Sequence, residues 1–182
     1  QLAMLQTRLS TRGRAQETIT EIQATADRTY GIEFSSQTAI SERVLFPAMA
    51  AEAAGMEDAR FVRFTDDDGS VTFYATYTAY SGSHISQQLL ETRDFQSFAS
   101  TPMVGRAAAN KGLALFPRRI GGRFAALSRA DRESNAIAFS EHPFVWTTAV
   151  PCQSPVEAWE VLQLGNCGPP IETDATPISL YV

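Results

Sequence analysis

Residues 61–80 read FVRFTDDDGSVTFYATYTAY, and the two apolar runs on either side of the acidic turn define a β-hairpin. Asp68-Gly69 between β-rich runs is a strong turn signal, because Gly supplies the positive φ that a tight hairpin demands. Val71 to Thr78 is almost wholly β-branched or aromatic, the composition of a pleated, half-buried strand. Working outward, Ser81-Gly82-Ser83 reads as the next turn, His84 to Thr92 as a third strand and Phe95 to Ala99 as a fourth.

The same layout then returns. Leu113 to Phe116, Arg123 to Arg129, Ala136 to Ser140 and Phe144 to Thr148 read as strands, with turns at Gly121-Gly122 and at Asp131-Arg132-Glu133-Ser134. Phe73–Tyr80 overlays Phe124–Asp131 at an offset of 51, and Phe98 overlays Trp146 at an offset of 48. Ile171 and Pro177 to Val182 begin a third copy. Four short strands every 40–50 residues or so is the period of a β-propeller blade. A β-sandwich also uses many short strands, but the matched aromatic closing each unit favours the propeller. Propellers close with about four to eight blades, so two units and the start of a third read as a segment of a longer protein. The opening at Gln1, inside a polar helical pattern, reads as a cut or processed end.

The first thirty residues obey a different period. Leu2, Leu5 and Leu9, then Ile19, Ile22 and Ala26, recur at helical spacing on either side of Gly13, which predicts helix over 2–28 packed outside the sheets. The expected division is a helical segment at 1–30 and a β segment at 31–182.

Composition narrows the classes of function. The 182 residues carry 15 Lys and Arg against 20 Asp and Glu, a net charge of −5, unlike the basic face of a nucleic-acid binder. No apolar run approaches the roughly 20 residues of a membrane span, and no secretory pattern opens the chain. Two cysteines, Cys152 and Cys167, make no disulfide framework and complete no zinc site; two free, partly buried thiols in a reducing, cytoplasmic setting are expected. His84 and His142 stand apart and read as surface or packing residues rather than bases.

Three clusters can carry chemistry. Gly55-Met56-Glu57-Asp58-Ala59-Arg60 precedes the first strand and places acids beside a guanidinium; a carboxylic acid there can donate a proton to a glycosidic oxygen if its pKa is raised, although a local turn with one ion pair explains the pattern equally. Asn110-Lys111-Gly112 with Arg118 and Arg119 gathers cations near one hairpin, suited to phosphate or sugar, or to a charged edge that resists aggregation. Trp159-Glu160 and the Gly- and Pro-rich stretch from Leu164 to Thr173, with Asn166 inside it, read as a fixed loop of the kind that lines sites, or as turn architecture alone.

These residues carry a resemblance. Ser41–Pro47, Gly55–Phe64, Tyr74–Tyr80, Asn110–Gly112 with Leu115–Phe124, and Gly165–Thr173 fall in order over residues 40 to 175, and together they resemble glycoside hydrolase family 130. The resemblance implies a mainly β chain, a segment of a five-bladed β-propeller with an N-terminal helical extension. It implies action on β-mannoside oligosaccharides with inversion, by phosphorolysis or hydrolysis. It implies Asp58 as general acid, with Ala59 standing where many members have Pro. Arg60, Lys111, Arg118, Arg119 and Asn166 are the implied substrate- or phosphate-binding residues. No cofactor or metal is implied, only inorganic phosphate as co-substrate in a phosphorylase. No nucleic-acid or membrane partner is implied, and an oligomer is compatible with the pattern. The rival from another class is a non-catalytic propeller module that binds glycans or proteins, since fold does not fix function.

Overall fold

The computed structural model describes residues 15–162 and 164–172. Helix α1 (Ala15–Ala26) carries Ile19 on its buried side. The part of the helical expectation before residue 15, and Pro177 to Val182, lie outside the described residues. Strand β1 (Tyr30–Glu33) follows. After a strap with two short 3₁₀ turns, at Ile40–Glu42 and Ala50–Glu52, come β2 (Gly55–Thr65), β3 (Val71–Tyr80), β4 (Ile85–Thr92) and β5 (Ser97–Pro102). The second group is β6 (Ala114–Leu115), β7 (Phe124–Ser128), β8 (Asn135–Ser140) and β9 (Ala149–Gln153).

Two antiparallel sheets result. The first has the order β1-β5-β4-β3-β2 and the second β6-β7-β8-β9. Successive strands pair as neighbours because each connection is a short turn: Gly69, at φ 82°, closes the hairpin from β2 to β3, and Asp66 O accepts its N–H. β1 joins the far edge of the first sheet, with Tyr30 opposite Ser100. Alternation was legible after Tyr30, but the strand it forms pairs with a segment about seventy residues away.

Two expectations shift. The fourth strand of the first sheet is Ser97–Pro102, later than Phe95 to Ala99, because Phe95 takes φ 55° in the turn, where its N–H bonds to Thr92 Oγ1. The last strand of the second sheet is Ala149–Gln153 rather than Phe144 to Thr148. The 144–146 segment instead exchanges backbone bonds with Val104, whose N–H reaches Phe144 O at 2.9 Å and whose O accepts Trp146 N–H at 2.7 Å. This buries Trp146 completely between the sheets, and a large aromatic gains more from that site than from a strand edge.

The core lies between the two sheets. Val62, Phe64 and Tyr74 from the first meet Leu115 and Phe124 from the second, together with Leu113 just before β6 and Trp146 from the segment before β9. Phe64 and Phe124 stack at 5.0 Å between centroids. On the other face of the first sheet the strap packs Leu45, Met49 and Ala51 over Ala75, Tyr77 and Ala79. It is pinned there by Glu52, a carboxylate with no exposed surface. Glu52 accepts from Tyr77 Oη at 2.5 Å, Tyr30 Oη at 3.0 Å and Ala48 N at 2.8 Å. Burial first, and then the Glu52 carboxylate, push the Tyr77 phenol far above its ordinary pKa, so it stays a donor.

Among the described residues no helix is long and apolar enough to cross a membrane. Cys152 and Cys167 are free, as read from the sequence, but both are exposed rather than partly buried.

The Glu52 anchor yields a prediction. Glu52→Ala leaves the Ala48 N–H and a tyrosine hydroxyl short of an acceptor in the interior, and unfolding in denaturant should show a loss of about 2–4 kcal/mol. A change of less than about 0.5 kcal/mol, the size expected of a surface substitution, would show that the strap is held by its apolar contacts alone.

Candidate functional site

Asp58 sits inside β2, not before it. The register runs Glu57 opposite Thr78 and resumes with Arg60 opposite Thr76. Asp58 and Ala59 therefore share the single partner position of Tyr77, a β-bulge. Asp58 takes φ 55°, a left-handed conformation that Asp and Asn tolerate better than other side-chain-bearing residues. The bulge suspends the strict alternation of a strand at this point. The Asp58 side chain is 46% exposed, whereas Arg60, two residues on, is only 9% exposed.

Arg60 is the centre of the site. Its Nε and Nη2 donate to Asp58 Oδ2 at 3.2 and 2.8 Å. Its Nη1 donates to Asn166 Oδ1 at 2.6 Å and to Gly112 O at 3.0 Å. One guanidinium thus ties the bulge of the first sheet to the turn before β6 and to the loop after β9. The turn is shaped for this: Asn110 and Gly112 both have positive φ, 64° and 91°. Asn110 is occupied by the fold, its Nδ2 on Ala130 O and its Oδ1 accepting from Arg132 Nε at 2.8 Å. Lys111, between the two, forms no ion pair among the described residues.

A second guanidinium shares the same space. A Cβ on Gly112 would stand 3.4 Å from Arg129 Cδ and from Asn166 Oδ1, and one on Gly165 only 2.8 Å from Arg129 Nη1. Arg129 follows the wholly buried β7 directly, and its Nε and the Nδ2 of Asn166 are buried without a partner among the described residues. Sequence reading passed over Arg129, treating it as the end of a strand. Its one signal was a charged residue closing a run of five buried strand positions.

Arg118 and Arg119 lie elsewhere. Thr65 N donates to Pro117 O at 2.9 Å, which sets this pair at the far end of β2, about 20 Å from Asp58 at a strand's rise per residue. Arg118 pairs with Glu172 at 2.9 Å, and Arg119 grips Asp66 through Nε at 2.6 Å and Nη2 at 3.1 Å. The Arg119 guanidinium also lies 4.2 Å over the Phe124 ring. Arg118 and Arg119, implied as substrate- or phosphate-binding residues, are thus set apart from Asp58, and each already has a carboxylate, Glu172 for Arg118 and Asp66 at the end of β2 for Arg119. Of the candidates, the structure brings together Asp58, Arg60, Asn166 and the Lys111 turn, and adds Arg129. Among the described residues no three His, Cys, Asp or Glu side chains gather as a metal would require.

The sequence profile of glycoside hydrolase family 130, described as β-1,4-mannooligosaccharide phosphorylase, matches residues 14–181. The chain belongs to this family. A β-1,2-mannobiose phosphorylase of Listeria innocua serovar 6a is 29% identical over 90 residues, 50% of this chain and 24% of that protein. The solved structure of β-1,2-mannobiose phosphorylase from Listeria innocua in complex with β-1,2-mannobiose aligns with a TM-score of 0.59 at 25% identity, over 71% of this chain and 37% of that one. The chain therefore spans between a quarter and two fifths of these family 130 relatives.

The joint at the far end of β2 gives a pH prediction. The hydrogen bonds from Arg119 hold the Asp66 carboxyl below its ordinary pKa. A depressed folded-state pKa contributes stability that is present above the unfolded value and lost as pH falls through the folded one. The thermal midpoint should fall below about pH 4, the ordinary carboxylate range, and Asp66→Asn should flatten that acid limb. An acid limb of unchanged steepness in the variant would remove the pair from the account.

Proposed function

We infer that this chain is a segment of a five-bladed β-propeller enzyme that cleaves β-mannosides by inverting phosphorolysis. The observation that carries the reading is the charge balance around Arg60: two guanidiniums, Arg60 and Arg129, lie about Gly112 beside the Lys111 turn, the one carboxylate bonded there is the half-exposed Asp58 on Arg60, and buried donors on Arg129 and Asn166 have no partner among the described residues. Holding cations together in low dielectric without an anion is unfavourable, and inorganic phosphate supplies the charge and the acceptor oxygens that such donors bind best. The family description and the relatives' names support the same substrate class.

In this reading Asp58 is the general acid. It projects from the bulge into solvent, where a sugar can reach it, while Arg60 fixes its direction. A phosphate oxygen attacks the anomeric carbon from the face opposite the departing sugar. The glycosidic C–O bond breaks with its electron pair on the leaving oxygen, and the Asp58 proton ends there, directly or through a substrate hydroxyl. The products are an α-sugar 1-phosphate and the shortened sugar. Arg60, Arg129, Asn166 and Lys111 bind the phosphate and offset its charge, while Arg118 and Arg119 hold the neighbouring sheets in register. The same surplus of cations favours phosphorolysis over hydrolysis, which needs a second carboxylate about 6.5–9.5 Å from the acid to activate water.

The test is release of mannose 1-phosphate from β-mannobiose by the full-length protein, with and without phosphate. Turnover should require phosphate. Asp58→Asn, whose amide oxygen can still accept from Arg60, should lower it by about 10²–10⁴-fold, the usual contribution of a general acid, far more than it alters stability. Unchanged turnover would return Asp58 to an ordinary bulge residue, and phosphate-independent release of free mannose would make the enzyme a hydrolase.

A further inference from the structure

We propose that Arg60 is shared between Asp58 and the bound phosphate, so that the anion draws Arg60 away from Asp58 and Asp58 takes up a proton as it does so. The proposal rests on the phosphorolysis reading and adds to it an order of events: the co-substrate arms the acid.

The geometry is that of one donor set with two claimants. A guanidinium has five N–H groups in a fixed fork. On Arg60 the Nη1 end is held by Asn166 Oδ1 and Gly112 O, two neutral acceptors built into the fold. The Nε–Nη2 edge, the one suited to a bidentate oxyanion, is spent on a single oxygen of Asp58. Asp58 is 46% exposed and can leave; Asn166 is buried and Gly112 is backbone. An anion drawn to the Arg60–Arg129 pair around Gly112 therefore competes with Asp58 for that edge, which an exposed carboxylate covers.

Without the anion, Asp58 Oδ2 accepts from both Nε and Nη2 of Arg60. With Arg60 turned to a dianion, Asp58 faces new negative charge and loses its counter-ion, and both changes favour its neutral form. The other charged groups about the pair are Glu57 on the same strand, Lys111 on the turn before β6 and Arg129 at the end of β7. Glu57 is exposed and has no bond to Arg60, so it supplies a matched control: the same charge one residue away, outside the shared contact.

The experiment is calorimetric titration of the full-length protein and its variants with inorganic phosphate, each in two buffers of different protonation enthalpy. Asp58→Asn removes the competing charge and suits the left-handed backbone there. It should bind phosphate about fivefold more tightly than the unaltered protein. The unaltered protein should take up more protons on binding than Asp58→Asn does, and Glu57→Gln should match the unaltered protein in both respects. Equal affinity and equal proton uptake in Asp58→Asn and the unaltered protein would overturn the proposal. So would an equal gain in Glu57→Gln, which would reduce the effect to general charge. Failure of every form to bind phosphate would overturn the phosphorolysis reading along with it.

Discussion

Everything the site does depends on the placement of a single buried guanidinium. Arg60 comes from the first sheet, yet its Nη1 acceptors come from the turn before β6 and the loop after β9. A buried cation with any of its acceptors removed costs several times what a surface pair costs, because the unpaired charge cannot recover its hydration. The bulge at Asp58, the positive φ of Gly112 and the absence of a Cβ at Gly165 are therefore conditions on one another. The slip sets where Asp58 and Arg60 stand against β3, and a side chain at Gly165 would meet Arg129.

The sheets supply what this arrangement needs, which is rigidity on both sides. Phe64 stacked on Phe124 and the buried Trp146 fix the first sheet against the second. Arg119 on Asp66 and Arg118 on Glu172 close the far end of β2. Glu52 holds the strap against the outer face of the first sheet, just ahead of the strand that carries Asp58. Interiors packed this closely transmit small displacements, so residues far from the chemistry help decide where the carboxylate points.

What could be read from the sequence was local. The hairpin around Asp68-Gly69 and the β runs on either side of it are set by turn chemistry and by neighbours in the chain, and residues 61–80 carry both. The blocks containing Asp58, Arg60, Lys111 and Asn166 were legible as candidates because they fall in order in the pattern that resembles family 130; as turns alone they are ordinary, since Asp, Asn and Gly dominate turns. The bulge was not legible: the slip between Glu57 and Arg60 is defined only against β3. Nor were the fates of Arg118 and Arg119, whose carboxylates lie 54 and 53 residues away. Without those partners two adjacent arginines read as an anion site; with them they read as a joint. Arg129 was hidden because its importance comes from two glycines, Gly112 and Gly165, that make room for it. The shift of the last strand to Ala149–Gln153 has the same origin, since the Trp146 backbone follows Val104 rather than its neighbours in sequence.

The claim that Arg60 couples the two sheets is tested most directly by a double-mutant cycle in the full-length protein. Arg60→Ala, Asn166→Ala and the double variant would be compared by denaturant unfolding. Because Asn166 Oδ1 accepts from Arg60 at 2.6 Å in a part-buried setting, the account predicts that the double variant loses less than the sum of the singles by about 1 kcal/mol or more. Losses that add to within about 0.5 kcal/mol would contradict it, and would leave Arg60 as a partner of Asp58 alone.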